Sequence, residues 1–266
     1  MTDYNGLMKI NQAFTILNCA GGIRAARIIT ENTKNLSYFN VWRMARQLRR
    51  GVPVAKIIGQ KWFYGLKFRT NRYTLDPRPD TETLVAAVIA DCGANDAPRI
   101  LDLGTGTGCI IGALVKNIHG ATGVAIDSSY GAVRVARANM RDLGLGERVR
   151  VIRNRFDNPR AVPPQAFDII VSNPPYIARG DVRVDAGAAH DPDMALYASN
   201  NGLAAYESIA PNAWRWVRPG GKIYLEIGAG QDATVRDIFT RAGWNFLRSE
   251  RDLAGIERVL VFQVIQ

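Results

Sequence analysis

The run Asp102-Leu103-Gly104-Thr105-Gly106-Thr107-Gly108 decides the fold class of this 266-residue chain. It ends a short apolar segment, residues 100–103, and precedes a longer one, residues 110–118, whose lengths fit a buried strand and a helix. Glycines in such a turn let a ligand approach the backbone closely. The dinucleotide pattern GxGxxG fits poorly, because Cys109 stands where that pattern has its third glycine. The run therefore predicts a strand–turn–helix unit that binds a different cofactor, with Asp102 beside it.

Apolar segments of strand and helix length alternate along the chain after Pro98. The predicted strands are 121–126, 149–152, 167–171, 223–227, 244–247 and 259–264, and the predicted helices are 130–143, 204–217 and 232–242, the second ending at Pro219-Gly220-Gly221. This order predicts a doubly wound, mostly parallel α/β sheet, Rossmann-like, with the last two strands antiparallel at one edge. Ligands of such sheets lie beyond the carboxyl ends of the strands. Functional residues are thus expected just after Leu103, Ile126, Ile152, Val171 and Ile227.

The residues before Pro77 follow a different pattern. Apolar side chains recur at helical spacing within 5–50, with an interruption at Gly21-Gly22. Aromatic residues on both sides of Gly65 predict a short β-hairpin within 57–68. We therefore expect three parts: a small helical domain (1–55), a hairpin and linker (56–76) and the main α/β domain (77–266).

Charge is distributed unevenly over the chain. The net charge is +10, and residues 1–75 hold 13 Lys/Arg against 2 Asp/Glu. This basic part predicts an acidic partner, either protein or RNA, or else a solubilising surface. No apolar run approaches the roughly 18 residues of a membrane span. The three cysteines, Cys19, Cys92 and Cys109, include no pair with metal-ligand spacing, so we expect no metal site and a reducing, cytoplasmic location.

Two groups of polar and aromatic residues follow the next predicted strands and suit a nucleoside. Asp127 directly follows a strand, where an acid can bind both ribose hydroxyls, although it could also cap the helix that starts near Tyr130. Phe156, Asp157 and Asn158 come after the next predicted strand, 149–152, and are placed to flank an adenine ring. Stacking by Phe156 and a polar contact from Asp157 or Asn158 are one interpretation, and a plain loop is the other.

The segment Asn173-Pro174-Pro175-Tyr176 carries the most specific chemistry. The two prolines fix φ and remove two backbone donors, so the loop is stiff and can present carbonyl acceptors. A primary amide or an aromatic amine has two N–H donors, which the Asn173 side-chain oxygen and the Pro174 carbonyl can accept, while Tyr176 can cover the planar group. No strong general base is evident, and none is needed if the proton leaves after the reaction. Glu226 ends a later predicted strand and could support this site from behind.

These motifs resemble those of the HemK-type release-factor glutamine N5-methyltransferases. The resemblance covers nearly the whole chain and rests on five segments. They are DLGTGTG at 102–108, VSNPPYI at 171–177, PRPDTE at 77–82, RRGVPVAKIIG at 49–59 and a degenerate DPDMALYASNNGL at 191–203. Asn158 stands where relatives often carry an aromatic residue beside the adenine. The N-terminal domain is shorter than usual for the family.

The resemblance implies a class I methyltransferase that uses S-adenosyl-L-methionine. Its cofactor residues would be Asp102, Gly104, Thr105, Gly106, Thr107, Gly108, Asp127, Asp157, Asn158 and Asn173. Asn173, Pro174, Pro175 and Tyr176 would hold the substrate, with Asn173, Pro174 and Tyr176 acting in catalysis. The substrate implied is the glutamine amide in the Gly-Gly-Gln loop of peptide chain release factors, docked by the helical domain. The protein is then expected to be a monomer with no stable nucleic acid bound and no membrane association.

Two other functions stay open at this point. The Asn173–Tyr176 loop suits adenine N6 as well as an amide, and the basic N-terminal part would suit phosphates, so methylation of RNA or DNA is an alternative. A ribosome- or RNA-binding protein without catalysis is the other. The complete glycine turn argues against it.

Overall fold

The computed structural model describes residues 8–93, 96–158, 160, 162–180 and 190–264. The first part is helical and ends in a hairpin, with α1 (Ile10–Asn32), α2 (Tyr38–Arg49), α3 (Val54–Ile58), β1 (Gln60–Phe63) and β2 (Leu66–Arg69). The later helices are α4 (Glu82–Asp91), which follows a 3-10 turn (Pro79–Thr81), α5 (Cys109–Asn117), α6 (Tyr130–Asp142), α7 (Asp193–Leu196), α8 (Ser199–Gly202), α9 (Ala204–Ala213) and α10 (Asp232–Arg241). The later strands are β3 (Arg99–Leu103), β4 (Thr122–Asp127), β5 (Val149–Arg153), β6 (Phe167–Ser172), β7 (Ile177–Ala178), β8 (Tyr197–Ala198), β9 (Val217–Glu226), β10 (Trp244–Arg251) and β11 (Glu257–Val264).

The N-terminal helices pack on one another through a small apolar cluster. The interruption predicted in the first helix is confirmed at Gly22, whose φ of 83° and ψ of 167° break α1. Ser37 begins α2, because its side chain accepts a hydrogen bond from the Asn40 N–H. Leu17, Ile29 and other apolar side chains between α1 and α2 are fully buried. Residues 5–7 of the predicted helical stretch lie outside the described residues.

A seven-stranded sheet in the order β10-β11-β9-β6-β3-β4-β5 forms the centre of the rest of the chain. β3 pairs in parallel with β4 and β6, β4 with β5, and β6 with β9. β11 pairs antiparallel with both β10 and β9. The predicted doubly wound, mostly parallel sheet is confirmed, and so is the antiparallel pairing of the last two strands. The parallel strands all bring their carboxyl ends to the same edge.

The prediction for the segment before β9 is wrong in its boundaries. α9 ends at Ala213 rather than near residue 217, and β9 already begins at Val217. Pro219-Gly220-Gly221 therefore lies inside the strand, where the pairing with β6 shifts register. A Cβ atom on Gly221 would lie 2.8 Å from the Asp168 carbonyl oxygen, so this close backbone approach requires glycine. The three residues form a bulge and do not separate a helix from a strand.

Helices cover both faces of the sheet. One apolar cluster buries side chains of α4, α5 and α6 against one face, and a second buries those of α9 and α10 against the other. Phe239 of α10 is fully buried and stacks on Phe262 with ring centroids 4.9 Å apart. Among the described residues, no helix is both long and apolar enough to cross a membrane.

A buried ionic cluster joins α3 to the connector before α4 and to the segment before α7. Lys56 of α3 lies 2.9 Å from both Asp76 Oδ1 and Asp191 Oδ1, and all three side chains are almost fully buried. Arg78 also binds Asp191, at 2.8 Å. The cluster therefore ties α3, the connector before α4 and the segment before α7 together. Buried carboxylates need such partners because an unpaired charge is costly away from water.

Lys56→Ala is expected to destabilise the protein strongly. It leaves the buried carboxylates of Asp76 and Asp191 with fewer counter-charges, which should lower the free energy of unfolding by about 3 kcal/mol. Urea unfolding followed by circular dichroism measures this loss. Lys34→Ala, at an exposed position, is the matched control and should change stability by less than about 0.5 kcal/mol. Equal stabilities of the two variants would contradict the role of the cluster.

Candidate active site

A cleft opens beyond the carboxyl ends of β3, β4, β5 and β6. Turns that follow these four strands form much of its wall. Eight of the predicted site residues lie on that wall: Gly104, Thr105, Gly106, Thr107, Asp127, Asp157, Asn173 and Pro175. Residues that follow four of the five predicted strands therefore reach this cleft. The segment after β9 lies behind the Asn173–Tyr176 loop instead.

The glycine turn after β3 has a backbone that requires glycine. Gly104, Gly106 and Gly108 have φ values of 72°, 55° and 79°, in the left-handed region. The N–H groups of Gly104 and Thr105 both donate to the Ile126 carbonyl at 2.9 Å, which ties the turn to β4. Gly108 is not on the cleft wall. It begins α5 and faces Met140, whose Cε would lie 3.0 Å from a Cβ atom at this position.

Asp102 lies below the turn and is fully buried. Its Oδ2 accepts a hydrogen bond from the Thr105 hydroxyl at 2.5 Å. Its Oδ1 has no hydrogen-bond partner among the described residues. Burial raises the pKa of Asp102 to about 7, while the Thr105 hydroxyl and the Ile111 backbone lower it in part and the charge of Asp127 adds a smaller rise. The carboxyl group thus offers a cation or a water molecule an acceptor that the chain itself leaves unmet.

Asp127 lies at the end of β4 and is held by two backbone donors. Its Oδ2 accepts from the Gly106 N–H at 2.9 Å, and its Oδ1 accepts from the Ser129 N–H at 2.8 Å. Burial raises its pKa. The helix cap that we considered for Asp127 belongs to Ser129, whose side chain accepts from the Ala132 N–H. Asp127 is therefore positioned at the cleft with lone pairs left for a further donor on each oxygen.

The segment after β5 brings only one of its two polar candidates to the cleft. Phe156 and Asp157 lie on the wall, together with Arg155. Arg155 binds Asp157 at 2.6 Å, and this hydrogen bond lowers the pKa of the carboxyl group. Asn158 is not on the wall and donates to Asn154 Oδ1 at 3.0 Å. Among the polar candidates for an adenine contact, Asp157 is the one that faces the cleft.

The loop after β6 presents Asn173 and Pro175 to the cleft. Asn173 Nδ2 donates to the Thr81 hydroxyl at 3.1 Å. Pro174 is buried, and Tyr176 lies behind the wall with its hydroxyl 3.3 Å from Glu226 Oε1. Burial raises the pKa of Tyr176, so the phenol is neutral in the ordinary pH range. The structure thus divides the four residues into two that line the cleft and two that pack behind it.

Sequence reasoning missed one whole wall of the cleft. This wall is formed by the connector from Tyr73 to Arg78, together with Thr81. Met194 and Ala195 complete the cleft from the other side. Tyr73 packs on the start of α6, since a Cβ atom on Gly131 would lie 2.4 Å from its Cγ atom. The segment 77–82 was recognised as a motif, but its contact with the cleft has no signal in hydrophobic periodicity.

Known proteins share both the sequence and the fold of this chain. The Methyltransferase small domain model matches residues 79–190. A release factor glutamine methyltransferase from Bradyrhizobium diazoefficiens is 37% identical, and the match covers 92% of this chain and 84% of the relative. The corresponding protein from Cereibacter sphaeroides is 40% identical over 82% of this chain and 75% of its own. The chain belongs to the release factor glutamine methyltransferase family. A solved structure of a SAM dependent methyltransferase from Aquifex aeolicus shares the fold, with a TM-score of 0.51, 17% identity and coverage of 71% of this chain and 94% of its own.

The cleft fits the nucleoside cofactor that this family implies. Asp102 Oδ1 is a buried acceptor without a partner among the described residues, and it lies under the glycine turn. The left-handed glycines leave the backbone uncovered where a ligand approaches. Asp127 supplies carboxylate oxygens at the next strand, where ribose hydroxyls are bound in sheets of this kind. These three features suit a ligand with an ammonium group at one end and a ribose at the other.

The free energy of unfolding of Asp102→Asn, relative to that of wild type, is expected to increase as the pH rises. The raised pKa of about 7 means that the folded protein holds a proton that the unfolded chain releases above about pH 4. Stability is therefore lost as pH rises towards 7, and asparagine removes that loss. Between pH 5 and 8 the difference in free energy of unfolding from wild type should grow by roughly 2 kcal/mol. The exposed control Glu147→Gln should differ from wild type by an amount that does not change with pH. The same behaviour in Asp102→Asn would refute the raised pKa of Asp102.

Proposed function

We propose that this protein transfers a methyl group from S-adenosylmethionine to the side-chain amide nitrogen, N5, of the glutamine in the Gly-Gly-Gln loop of peptide chain release factors. Membership of the family supports the reaction. The observation that carries the proposal is the position of Asn173 on the wall of the cleft that the glycine turn also lines. An amide acceptor and a cofactor turn in one cleft suit methyl transfer to a planar nitrogen.

The cofactor is assigned to the turns after β3, β4 and β5. Gly104 to Thr107 would approach it with the backbone, Asp127 would bind the ribose, and Phe156 with Asp157 would lie beside the adenine. Asp102 would attract the ammonium group, directly or through water, because it is the buried carboxylate next to the turn. When bound, S-adenosylmethionine supplies a methyl group on a positively charged sulfur.

Asn173 and Pro174 are assigned to the glutamine amide. The Asn173 oxygen accepts one N–H of the amide, which aims the nitrogen at the methyl group. The other N–H is assigned to the Pro174 carbonyl from the sequence motif, although Pro174 is buried and is not among the residues of the cleft wall. An amide nitrogen is a poor nucleophile, because its lone pair is delocalised into the carbonyl. Two acceptors stabilise the positive charge that develops on the nitrogen during attack. The proton can leave to water afterwards, so the reaction needs no strong base.

Docking of the release factor is assigned to the helical part of the chain. α2 exposes Phe39 and Trp42, at 77% and 52% of their surface. Arg43, Arg46, Arg49 and Arg50 crowd the same helix and its end. Exposed aromatic rings among arginines are the composition of protein-binding surfaces. An acidic, partly apolar surface of the factor would complement them.

Methyl transfer tests the proposal directly. Labelled S-adenosylmethionine is offered with a purified release factor, with the same factor carrying glutamate in place of the Gly-Gly-Gln glutamine, and with deproteinised ribosomal RNA. We expect label on the first substrate alone, which mass spectrometry maps to that glutamine. Label on RNA alone would favour adenine methylation. Cofactor binding without any transfer would favour a non-catalytic protein.

Asn173→Ala is expected to reduce turnover of the release factor by about 100-fold or more, because the amide loses an acceptor in the transition state. Affinity for S-adenosylmethionine, measured by calorimetry, should change by less than about 3-fold, since the main cofactor contacts lie elsewhere. Turnover close to that of wild type would remove Asn173 from the catalytic role.

Asp127→Ala is expected to weaken binding of S-adenosylmethionine by about 10- to 100-fold, because the ribose loses hydrogen bonds to a charged acceptor. Calorimetry measures the dissociation constant, and the exposed Glu147→Ala serves as control. Thermal unfolding of the free protein separates lost binding from lost folding, because Asp127 also holds the glycine turn. An unchanged dissociation constant would end the ribose assignment.

A further inference from the structure

Two aromatic side chains line the cleft among the residues that the structure describes, and they differ in how far they are already covered. Phe156, after β5, is partly buried and packs against the apolar cluster beneath α9 and α10. Tyr73, in the connector before α4, is 44% exposed and belongs to none of the apolar clusters formed by the described residues. Packing of the core therefore does not account for Tyr73.

The position of the Tyr73 ring is fixed by two neighbours. A Cβ atom on Gly131, in the first turn of α6, would lie 2.4 Å from Tyr73 Cγ and 2.6 Å from Tyr73 Cβ. The φ of Gly131 is not left-handed, and glycine is unfavourable within a helix, so the contact with Tyr73 is the reason for glycine at this position. The Arg72 guanidinium lies over the ring, 4.8 Å from its centre, and donates to the Tyr73 hydroxyl at 2.5 Å.

The backbone on both sides of Tyr73 is held as well. The Tyr73 N–H donates to Asn71 Oδ1 at 2.9 Å. The almost fully buried ammonium group of Lys56 donates to the Asn71 carbonyl at 2.8 Å and also to the Thr74 carbonyl. Since the connector is positioned by the protein itself, a ligand that contacts Tyr73 does not have to order it.

The two aromatic residues approach the cleft from opposite faces of the sheet. Tyr73 packs on α6, which buries its apolar side against one face together with α4 and α5. Phe156 packs on the cluster that α9 and α10 form on the other face. Both side chains reach the wall beyond the carboxyl ends of the strands. A planar group that extends past this edge of the sheet would therefore meet one ring on each side.

The acid after β4 indicates which part of a ligand would lie between the rings. Asp127 Oδ1 accepts from the Ser129 N–H at 2.8 Å, and Gly131 follows two residues later, so Tyr73 packs within one helical turn of this acid. A nucleoside with its ribose at Asp127 has its base within reach of Tyr73 and of Phe156. A purine has two π faces, and stacking on aromatic side chains stabilises bound bases.

We propose that Tyr73 stacks on the adenine ring of the cofactor, on the side opposite Phe156, and so completes the cofactor site from outside the sheet. The inference rests on the proposed function for the identity of the cofactor. The polar groups after β3 and β4 bind the amino-acid and ribose parts of the ligand, whereas Tyr73 supplies affinity for the base. Its role is in binding and leaves the methyl transfer step unchanged.

Tyr73→Leu tests the stacking, with Tyr73→Phe and Tyr130→Leu as matched controls. Leucine keeps the apolar bulk and removes the π system, whereas phenylalanine keeps the ring. Tyr130 is also an exposed tyrosine with an arginine, Arg134, over its ring, but it does not line the cleft. By calorimetry, Tyr73→Leu should raise the dissociation constants of S-adenosylhomocysteine and adenosine about 10-fold, and both controls should stay within about 3-fold of wild type.

The possible outcomes separate this inference from the proposed function. Unchanged dissociation constants in Tyr73→Leu overturn the inference. A loss for S-adenosylhomocysteine without one for adenosine also overturns it, because the side chain would then contact the methionine part. Absence of binding by folded wild type would refute the cofactor assignment, and the inference with it. Binding without methylation of the release factor would refute the proposed substrate alone.

Nuclear magnetic resonance of the bound ligand tests whether the contact is with the base. An aromatic ring stacked on adenine shifts the adenine H2 and H8 resonances upfield. Bound S-adenosylhomocysteine should show the full shift in wild type and Tyr73→Phe, and a smaller one in Tyr73→Leu. Identical shifts in the three proteins would overturn the stacking of Tyr73 on the base.

Gly131→Ala provides a variant at a second position. The added Cβ atom would overlap with Tyr73, so the ring must leave its place, and affinity for S-adenosylhomocysteine should fall about as much as in Tyr73→Leu. Gly146→Ala is the control, since a Cβ atom there meets nothing within 4 Å. Thermal unfolding without ligand verifies that the variants are folded. Full affinity in a folded Gly131→Ala protein would overturn the proposal.

Steady-state kinetics distinguish binding from chemistry. In Tyr73→Leu the KM for S-adenosylmethionine should rise about 10-fold while kcat changes by less than about 3-fold, because the lost interaction is the same in the ground state and the transition state. A fall in kcat with an unchanged KM would place Tyr73 in the methyl transfer step and overturn the proposal.

Discussion

Parallel pairing of β3, β4, β5 and β6 places the turns after four strands at one edge of the sheet, and the chemistry of the protein depends on this constraint. Residues far apart in sequence therefore reach one cleft. The spacing of the strands also sets the order of the groups along the cleft. The nitrogen acceptor follows β6, the glycine turn follows β3, and the ribose and adenine candidates follow β4 and β5. A ligand extended across the strand ends would meet them in that sequence.

The sheet supplies only part of the site. The wall from Tyr73 to Arg78 comes from the connector before α4, and Met194 and Ala195 come from the segment after the loop. Neither segment is fixed by strand pairing within the sheet. The ion pairs of Lys56 with Asp76 and Asp191 supply the missing constraint, because they join the two segments to each other and to α3. Buried ion pairs thus hold this side of the cleft in place, whereas backbone hydrogen bonds between strands hold the side formed by the turns after β3 to β6.

Much of the fold and the most specific part of the site could be predicted from local patterns. Apolar periodicity located the strands and helices, and the glycine turn, Asp127 and the Asn173–Tyr176 loop all follow strands as expected. The bulge at Pro219-Gly220-Gly221 was missed, because proline and glycine ordinarily end an element and only the pairing with β6 shows that the strand passes through them. The wall at Tyr73 and the contact between Thr81 and Asn173 were missed for another reason. They join residues distant in sequence, and no local pattern records which partner a buried hydroxyl finds.

The contribution of the connector to the cleft limits how this protein can change in evolution. Helices α1 and α2 present their outer faces to solvent, so substitutions at Phe39 or Trp42 can alter the proposed docking surface without disturbing the cleft. A replacement of the entire N-terminal region is a different matter, because the chain that leaves it continues as a wall of the cleft. Recombination at the start of the sheet would exchange the proposed docking surface and disrupt the wall of the cleft in the same event. Diversification of partners is therefore expected to proceed by point changes on the helical surface rather than by exchange of modules.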